Sequence, residues 1–345
     1  MNLTTFNYLL IFISALILVG LLTPLMRVLA FKFEVLDRPI AAHKTHKSPI
    51  PYLGGVAIVL GVTLVTYSAI YIGKFSSSTL WIANFVVIPS IFMAAVGLLD
   101  DVWKLSPWSR FLVQCCVGLL SALILVRTET VGSPTGSKFF DIFLSILWIV
   151  GLTNSINFFD NLDGGASGTV AISSFFLFIL AIQSGQTLIS ALSLVLVGST
   201  LGFLIWNRPP ARIYMGDAGS LFLGLLLASL TIRLEPNPIN KMASFSVPFF
   251  LVAVPILDTS VVVSKRIIRG ISPFQGGRDH LSHRLMREGF SKRQSVISLW
   301  LITFFFGAVS LVISNSAYNK EGIFMIIGIF IWTLFFFFFA RLSDN

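Results

Sequence analysis

The sequence predicts an all-α integral membrane protein, a single polytopic domain over residues 1–345 built as a bundle of about eleven (10–11) transmembrane helices. Composition is the first observation behind this. The chain is 55% apolar, with 33 phenylalanines, only 11% charged residues and a mean hydropathy of +0.88. That is more apolar surface than a soluble core of this length can use. The second observation is that apolar runs recur along the chain, most of them close to the ~20 residues that cross a bilayer. The third is the uneven sharing of Lys and Arg between alternate loops.

The runs lie near 6–30, 52–73, 80–99, 107–127, 138–153, 166–183, 188–206, 218–232, 243–264, 294–314 and 322–340. No Lys or Arg precedes the first run, and it is long enough to span, so it is expected to be a span rather than a cleaved leader. The runs at 138–153 and 218–232 are the shortest. The run at 107–127 holds the adjacent Cys115 and Cys116. These read as buried thiols, with neither a disulfide framework nor a zinc pattern. The run at 243–264 is expected to be one span and carries Asp258. The phenylalanines at 335–339 read as lipid-facing bulk. No internal repeat divides the chain.

Alternating the loops across a membrane fixes an orientation. With the N-terminus outside, the outer side keeps Lys74, Arg127, Lys138, Arg233, Lys241 and Lys320. The inner side collects the remaining three quarters of the 24 Lys and Arg. Basic residues favour the cytoplasmic side, so the C-terminus is expected in the cytoplasm. The net charge of +9 then suits loops facing anionic lipid and anionic substrates, and nucleic acid is not expected as a partner. Every polar cluster falls on that same face: HKTHKSPIPYLGG (43–55), DDVWKLS (100–106), NSINFFDNLDGG (154–165), NRPPARIYMGDAGS (207–220) and the loop 265–293. A transporter or lipid flippase would need ionisable groups near the midplane. The helix centres are nearly free of charge; Asp258 is the exception, about two turns before Lys265.

The stretch Asn154–Gly165 carries the most chemistry. Read as a helix, it places Asn154, Asn157, Asp160 and Asn161 on one face, with Asp163 following before the breaking pair Gly164 and Gly165. Carboxylates beside hydrocarbon mark a site for a cation, proton or substrate; the plainer alternative is helix capping. Asp100 and Asp101 end the third run. Neighbouring helical positions point about 100° apart, so one carboxylate can face a metal or nucleophile while the other caps or orients. Asp217, in MGDAGS, opens the eighth run as either a cap or a ligand for Mg²⁺, which prefers hard oxygen donors. In the loop 271–293, a helix from Asp279 would set His280, His283, Arg284 and Arg287 in one cationic stripe suited to a diphosphate. The alternative there is a basic helix resting on headgroups. Lys47, with Pro49, Pro51, Gly54 and Gly55, makes a stiff entry to the second run and is weak evidence alone. Carboxylates and an Asn for Mg²⁺, with an Arg/His surface at one membrane face, describe phosphoryl transfer involving a lipid.

The motifs DDVWK, NSINFFDNLDGG, MGDAGSLFLG and RDHLSHRL, in this order from about His43 to Arg293, resemble the polyprenyl-phosphate N-acetylhexosamine-1-phosphate transferases. This is the family of WecA, TagO and MraY. The resemblance implies that undecaprenyl phosphate attacks the β-phosphate of a UDP-N-acetylhexosamine. The products would be polyprenyl-diphospho-sugar and UMP, with Mg²⁺ required and Mn²⁺ as its substitute. It implies Asn157 and Asp217 as metal ligands and Asp100 and Asp101 as the catalytic pair beside the lipid phosphate. Lys47 and Asp163 would contact the nucleotide, Asp160 would support the site, and His280, His283 and Arg284 would bind the sugar diphosphate. It implies a multi-pass protein of the bacterial inner membrane with its site facing the cytoplasm, and leaves a homodimer open. MraY, the phospho-MurNAc-pentapeptide transferase, carries three consecutive His. The sequence here, His280-Leu281-Ser282-His283, is nearer the HLHH of the WecA/TagO branch, with Ser282 where that pattern has a His. UDP-GlcNAc is therefore the expected donor, a UDP-diacetamido hexose its variant.

Overall fold

A computed structural model describes residues 3–37, 49–127, 135–236, 240–316 and 320–343. Lys47, with His43 and His46, lies outside the described residues. Among the described residues the chain forms thirteen helices and one two-residue antiparallel hairpin. In order these are α1 (Thr5–Lys32), β1 (Leu36–Asp37), β2 (Ile50–Pro51), α2 (Gly54–Ile72), α3 (Ser77–Trp103), α4 (Pro107–Arg127), α5 (Lys138–Phe159), α6 (Gly165–Gln183) and α7 (Thr187–Asn207). They continue with α8 (Gly216–Ile232), α9 (Lys241–Leu251), α10 (Ala253–Ile268), α11 (Leu281–Arg287), α12 (Lys292–Ser314) and α13 (Glu321–Arg341).

Nine of the described helices are long and apolar enough to cross a bilayer, which makes this a multi-pass membrane protein. Helix α8 is apolar but shorter. It is also the hub: Leu221 to Leu230 are almost completely buried, with α3 and α5 packed along it. The outer helices expose their apolar side chains instead, as Phe6, Leu21 and Phe330 do, because the solvent around them is lipid.

Local chemistry sets several helix starts. Thr4 and Asn7 form a capping box on α1, Ser291 and Gln294 form another on α12, and Ser76 caps α3. Several expectations need correction. Cys115 is half-buried and Cys116 exposed rather than buried, and Phe339 packs inside the bundle while Phe337 and Phe338 are exposed. The run at 243–264 is not one straight span but α9 and α10, bent by 79° at Val252. Pro255 cannot donate to the carbonyl four residues earlier, at Leu251, which leaves that carbonyl without a helical partner where α9 ends. The short run at 138–153 belongs to a longer helix: α5 continues through Asn157 to Phe159.

The interhelical ties place the motifs together. The C-terminal ends of α3, α5, α7 and α10 and the N-terminal ends of α2, α6, α8 and α12 gather at one end of the bundle, where the polar residues meet.

Candidate active site

The floor of the site is built from the ends of three helices. α8 begins at Gly216, whose φ of +69° is a backbone conformation that favours glycine. Its first N–H groups would otherwise be orphaned, and Asp101 at the end of α3 accepts them: Asp217 N donates to Oδ1 at 3.0 Å and Ala218 N to Oδ2 at 3.2 Å. An anion at a helix N-terminus is favoured by both hydrogen bonding and the helix dipole. Asp101 thus does the capping, and the Asp217 carboxylate makes no cap of its own. It faces Asn157 instead, whose Nδ2 donates to Asp217 Oδ1 at 2.8 Å and to Ser220 Oγ at 2.9 Å. Asp100 reaches the same point by another route. Arg110, early in α4, donates from one Nη1 to Asp100 Oδ2 at 2.5 Å and to Asp217 Oδ2 at 2.7 Å. The helices can close this far because Gly97 has no side chain: a Cβ there would stand 2.3 Å from Asp217 O.

Beside this floor opens a cavity of about 290 Å³. Its lining includes Asp37, Tyr52, Asn157, Asp160, Asn161, Asp163, Tyr214 and Asp217 together with Arg278, His283 and Lys292. Asp160 is the C-cap of α5. Burial, then the charges of Asp101 and Asp163, push its carboxyl up to about 7. Burial and nearby carboxylates likewise raise the Tyr52 and Tyr214 phenols. Asp163 accepts from Ala211 N at 3.1 Å, tying the loop before α6 to the loop before α8. Asn207 joins the same two loops, accepting from Gly164 N and donating to Ile213 O, each at 3.0 Å.

The rim comes from the segment between α10 and α12. Asp258 is fully buried; it accepts Leu281 N at 2.7 Å, capping α11, and pairs with His280 Nδ1 at 2.7 Å. Arg266 grips Asp279 with two hydrogen bonds of 2.8 and 2.7 Å. His283 faces the cavity. Burial first, then the charge of His280, pushes its imidazole down to about 4, so it is neutral at pH 7.

Of the residues singled out from sequence, Asn157, Asp160, Asp163, Asp217 and His283 line the cavity, and Asp100 and Asp101 abut it through Asp217. The single stripe across His280, His283, Arg284 and Arg287 is corrected. α11 starts at Leu281 rather than Asp279, and its arginines turn away. Arg284 is fully buried and donates to the carbonyls of Asp279, Phe339 and Leu342, and Arg287 donates to those of Ser343 and Arg278. Arg284 therefore holds the end of α13 instead of a diphosphate. His280 stands behind His283, their ring centroids 6.0 Å apart. Asn154 and Asn157 share a face of α5 as expected, but the helix ends at Phe159, so Asp160 and Asn161 fall beyond it, and Asn154 donates to Gln114 on α4 at 2.5 Å. Arg110, Tyr52, Tyr214, Arg278 and Lys292 were not singled out. The one signal for Arg110 was the short turn after Asp100 and Asp101, which folds α4 back onto them.

Among the described residues no three His, Cys, Asp or Glu side chains are arranged as a metal cluster. The donor chemistry nonetheless fits Mg²⁺. Asp100 and Asp217 already share one cationic donor, the Asn157 amide lies against Asp217, and Asp160, raised by burial and then by the charges of Asp101 and Asp163, lines the same cavity. Mg²⁺ takes few protein oxygens and fills its remaining positions with water or phosphate.

The fold and site define a class, a polytopic membrane protein with an acidic, oxygen-rich centre where its helix ends meet. Sequence comparison gives the family. The model of Glycosyl transferase family 4 matches residues 82–235, the stretch that holds Asp100, Asp101, Asn157 and Asp217. The chain is 34% identical over 311 residues to the probable undecaprenyl-phosphate N-acetylglucosaminyl 1-phosphate transferase of Bacillus subtilis (strain 168), covering 88% of this chain and 84% of that one. It is 31% identical to the decaprenyl-phosphate N-acetylglucosaminephosphotransferase of Mycobacterium leprae, covering 88% and 83%. It is 30% identical to the phospho-N-acetylmuramoyl-pentapeptide-transferase of Streptococcus pneumoniae serotype 2, covering 78% and 83%. The chain belongs to glycosyl transferase family 4.

Proposed function

We propose that this chain transfers N-acetylhexosamine-1-phosphate, with GlcNAc-1-phosphate foremost, from a UDP-sugar to undecaprenyl or another polyprenyl phosphate. An oxygen of the lipid phosphate attacks the β-phosphorus, the bond between the β-phosphorus and the bridging oxygen breaks, and UMP leaves. This would be the first committed step of a cell-envelope glycan. The site would face the cytoplasm from the bacterial inner membrane, in a bundle counted as eleven spans when α8 and the bent α9–α10 pair are included. The observation that carries the proposal is the meeting of Asp100, Asp101, Asn157 and Asp217 beside a cavity that Arg278, His283 and Lys292 also line.

The chemistry is one of charge. A phosphomonoester must approach a diphosphate, and the protein must hold two anions together. Asp217, Asp100 and the Asn157 amide would hold Mg²⁺, or Mn²⁺ in its place, which when bound neutralises the diphosphate oxygens. Arg278 and Lys292 bring positive charge to the cavity lining, and neutral His283 offers a hydrogen bond. Arg110, in the first turn of α4 where it meets the carboxylates, is suited to the lipid phosphate. A phosphomonoester with pKa near 6 is already mostly ionised at pH 7. Asp100 and Asp101 therefore position and polarise more than they remove a proton. Asp101, held by two backbone N–H groups, keeps Asp217 in place.

The test uses purified full-length protein, undecaprenyl phosphate and a panel of UDP-N-acetylhexosamines with MgCl₂. UMP and a lipid-linked sugar should appear, fastest with UDP-GlcNAc, and chelation with EDTA should stop both. Fastest turnover of UDP-MurNAc-pentapeptide would move the chain to the peptidoglycan branch. Gated uptake of substrate into vesicles with no UMP from any UDP-sugar would overturn the proposal.

A further inference from the structure

Ser282 breaks the His pattern of the motif, and the structure shows what it touches. It lies in the first turn of α11, 2% exposed, and its Oγ donates to Asn161 Oδ1 at 2.5 Å. Asn161 is half-buried in the turn between α5 and α6 and lines the cavity with Asp160 and Asp163. Its orientation is fixed by chemistry. Asn161 Nδ2 donates to Phe158 O at 2.8 Å, and a backbone carbonyl can only accept. The amide oxygen must therefore face Ser282, and the Ser282 hydroxyl must be the donor. The contact joins residues 121 apart in sequence. On one side are the turn bearing Asp160 and Asp163 and the end of α5 bearing Asn157. On the other is the short helix bearing His283.

We infer that Ser282 and Asn161 form a latch that sets the spacing across the donor pocket, making Ser282 a positioning residue for the UDP-sugar. α11 has only seven residues and cannot hold its place by its own backbone. Its base is fixed by Asp258 and its far side by Arg284 and Arg287, which hold the carbonyls at the end of α13. The Ser282 hydroxyl is its polar tie toward the carboxylate side. With the latch closed, His283 and the Asp160–Asp163 turn stand at a fixed separation, and the carboxamide is held at both its oxygen and one N–H. The second N–H of Asn161 is left as a donor for an acceptor oxygen on the nucleotide sugar. The inference rests on the transferase proposed above for its substrate, though not for the latch itself.

The test compares wild type, Ser282→Ala, Ser282→Thr, Asn161→Ala and the double variant. Ser282→Ala should raise KM for UDP-GlcNAc about fivefold, the size of one net hydrogen bond, with kcat within about twofold. Ser282→Thr, which keeps the hydroxyl, should restore KM. Adding Asn161→Ala to Ser282→Ala should cost less than the two single effects combined, since they share one contact. A readout without turnover is amide exchange of residues 281–287 in detergent. It should quicken several-fold in Ser282→Ala while the global Tm stays close to wild type. A wild type that releases no UMP from any UDP-sugar sinks the transferase, and exchange then still decides the latch. Unchanged exchange in Ser282→Ala, or additive KM effects in an active enzyme, overturns the latch.

Discussion

The carboxylate floor and the basic rim face the same cavity but are built in opposite ways. The floor is made of the ends of α3, α5 and the buried α8, locked by backbone contacts too close for a side chain at Gly97. Its charged groups point at one another, through Arg110 and Asn157. The rim is the segment between α10 and α12, whose seven-residue α11 is capped by Asp258 and tied by its own Ser282 and arginines to Asn161 and the end of α13. A rigid floor suits ions and phosphates that must be placed within fractions of an ångström. A rim hung on side chains can be adjusted with fewer consequences for the rest of the fold, and donor preference can vary there.

The comparison breaks most sharply at the floor. Asp217→Asn removes the carboxylate that Asn157 and Arg110 both touch. Transfer should fall about a hundredfold or more, measured as UMP release, with the protein still folded by thermal melting. Gly97→Val tests the packing: it pushes a branched side chain into the backbone of α8 and should cost roughly 3 kcal/mol or more. Melting in detergent should show it, and activity should be lost with it. An unshifted Tm would mean that α3 and α8 do not approach as closely as described.

At the rim the effects should be smaller and of a different kind. Arg284→Met empties a buried guanidinium that satisfies three carbonyls, at about 2–3 kcal/mol. The expected result is a lowered Tm and looser amides at the end of α13, with KM for the UDP-sugar changed less than by Ser282→Ala. A selective rise in KM without loss of stability would return Arg284 to the diphosphate. The smallest effect concerns pH. His283, pushed down to about 4 by burial, binds fewer protons folded than unfolded between about 4 and its ordinary value near 6.5. Its contribution to stability is complete above that range and declines as pH falls through it. His283→Gln should flatten the stability–pH curve in that window, read by denaturation at a series of pH values.

The floor was legible in the sequence and the rim only half so, for a physical reason. Asp100, Asp101, Asn157 and Asp217 stand where apolar runs end, and a carboxylate or amide beside hydrocarbon has few explanations other than a site or a cap. Which of them caps was not legible, because Asp101 caps a helix more than a hundred residues later in the chain. In the rim, the roles of Arg284 and Arg287 depend on carbonyls more than fifty residues away, which periodicity within one loop cannot report. Arg110 was readable in principle, being a short turn from Asp100, but it looked like one more basic residue at the membrane face. The break at Val252 was not legible: Pro255 lies just beyond it, but Pro24 and Pro89 sit inside the continuous helices α1 and α3, so a proline in an apolar run does not by itself announce a bend.

The most direct measurement is UMP release by purified wild type and Asp217→Asn with UDP-GlcNAc and undecaprenyl phosphate, over a Mg²⁺ titration that starts from EDTA. The account predicts UMP that rises with Mg²⁺, requires the lipid phosphate, and falls about a hundredfold or more in the variant. Metal-independent release, or an Asp217→Asn protein as active as wild type, would contradict it.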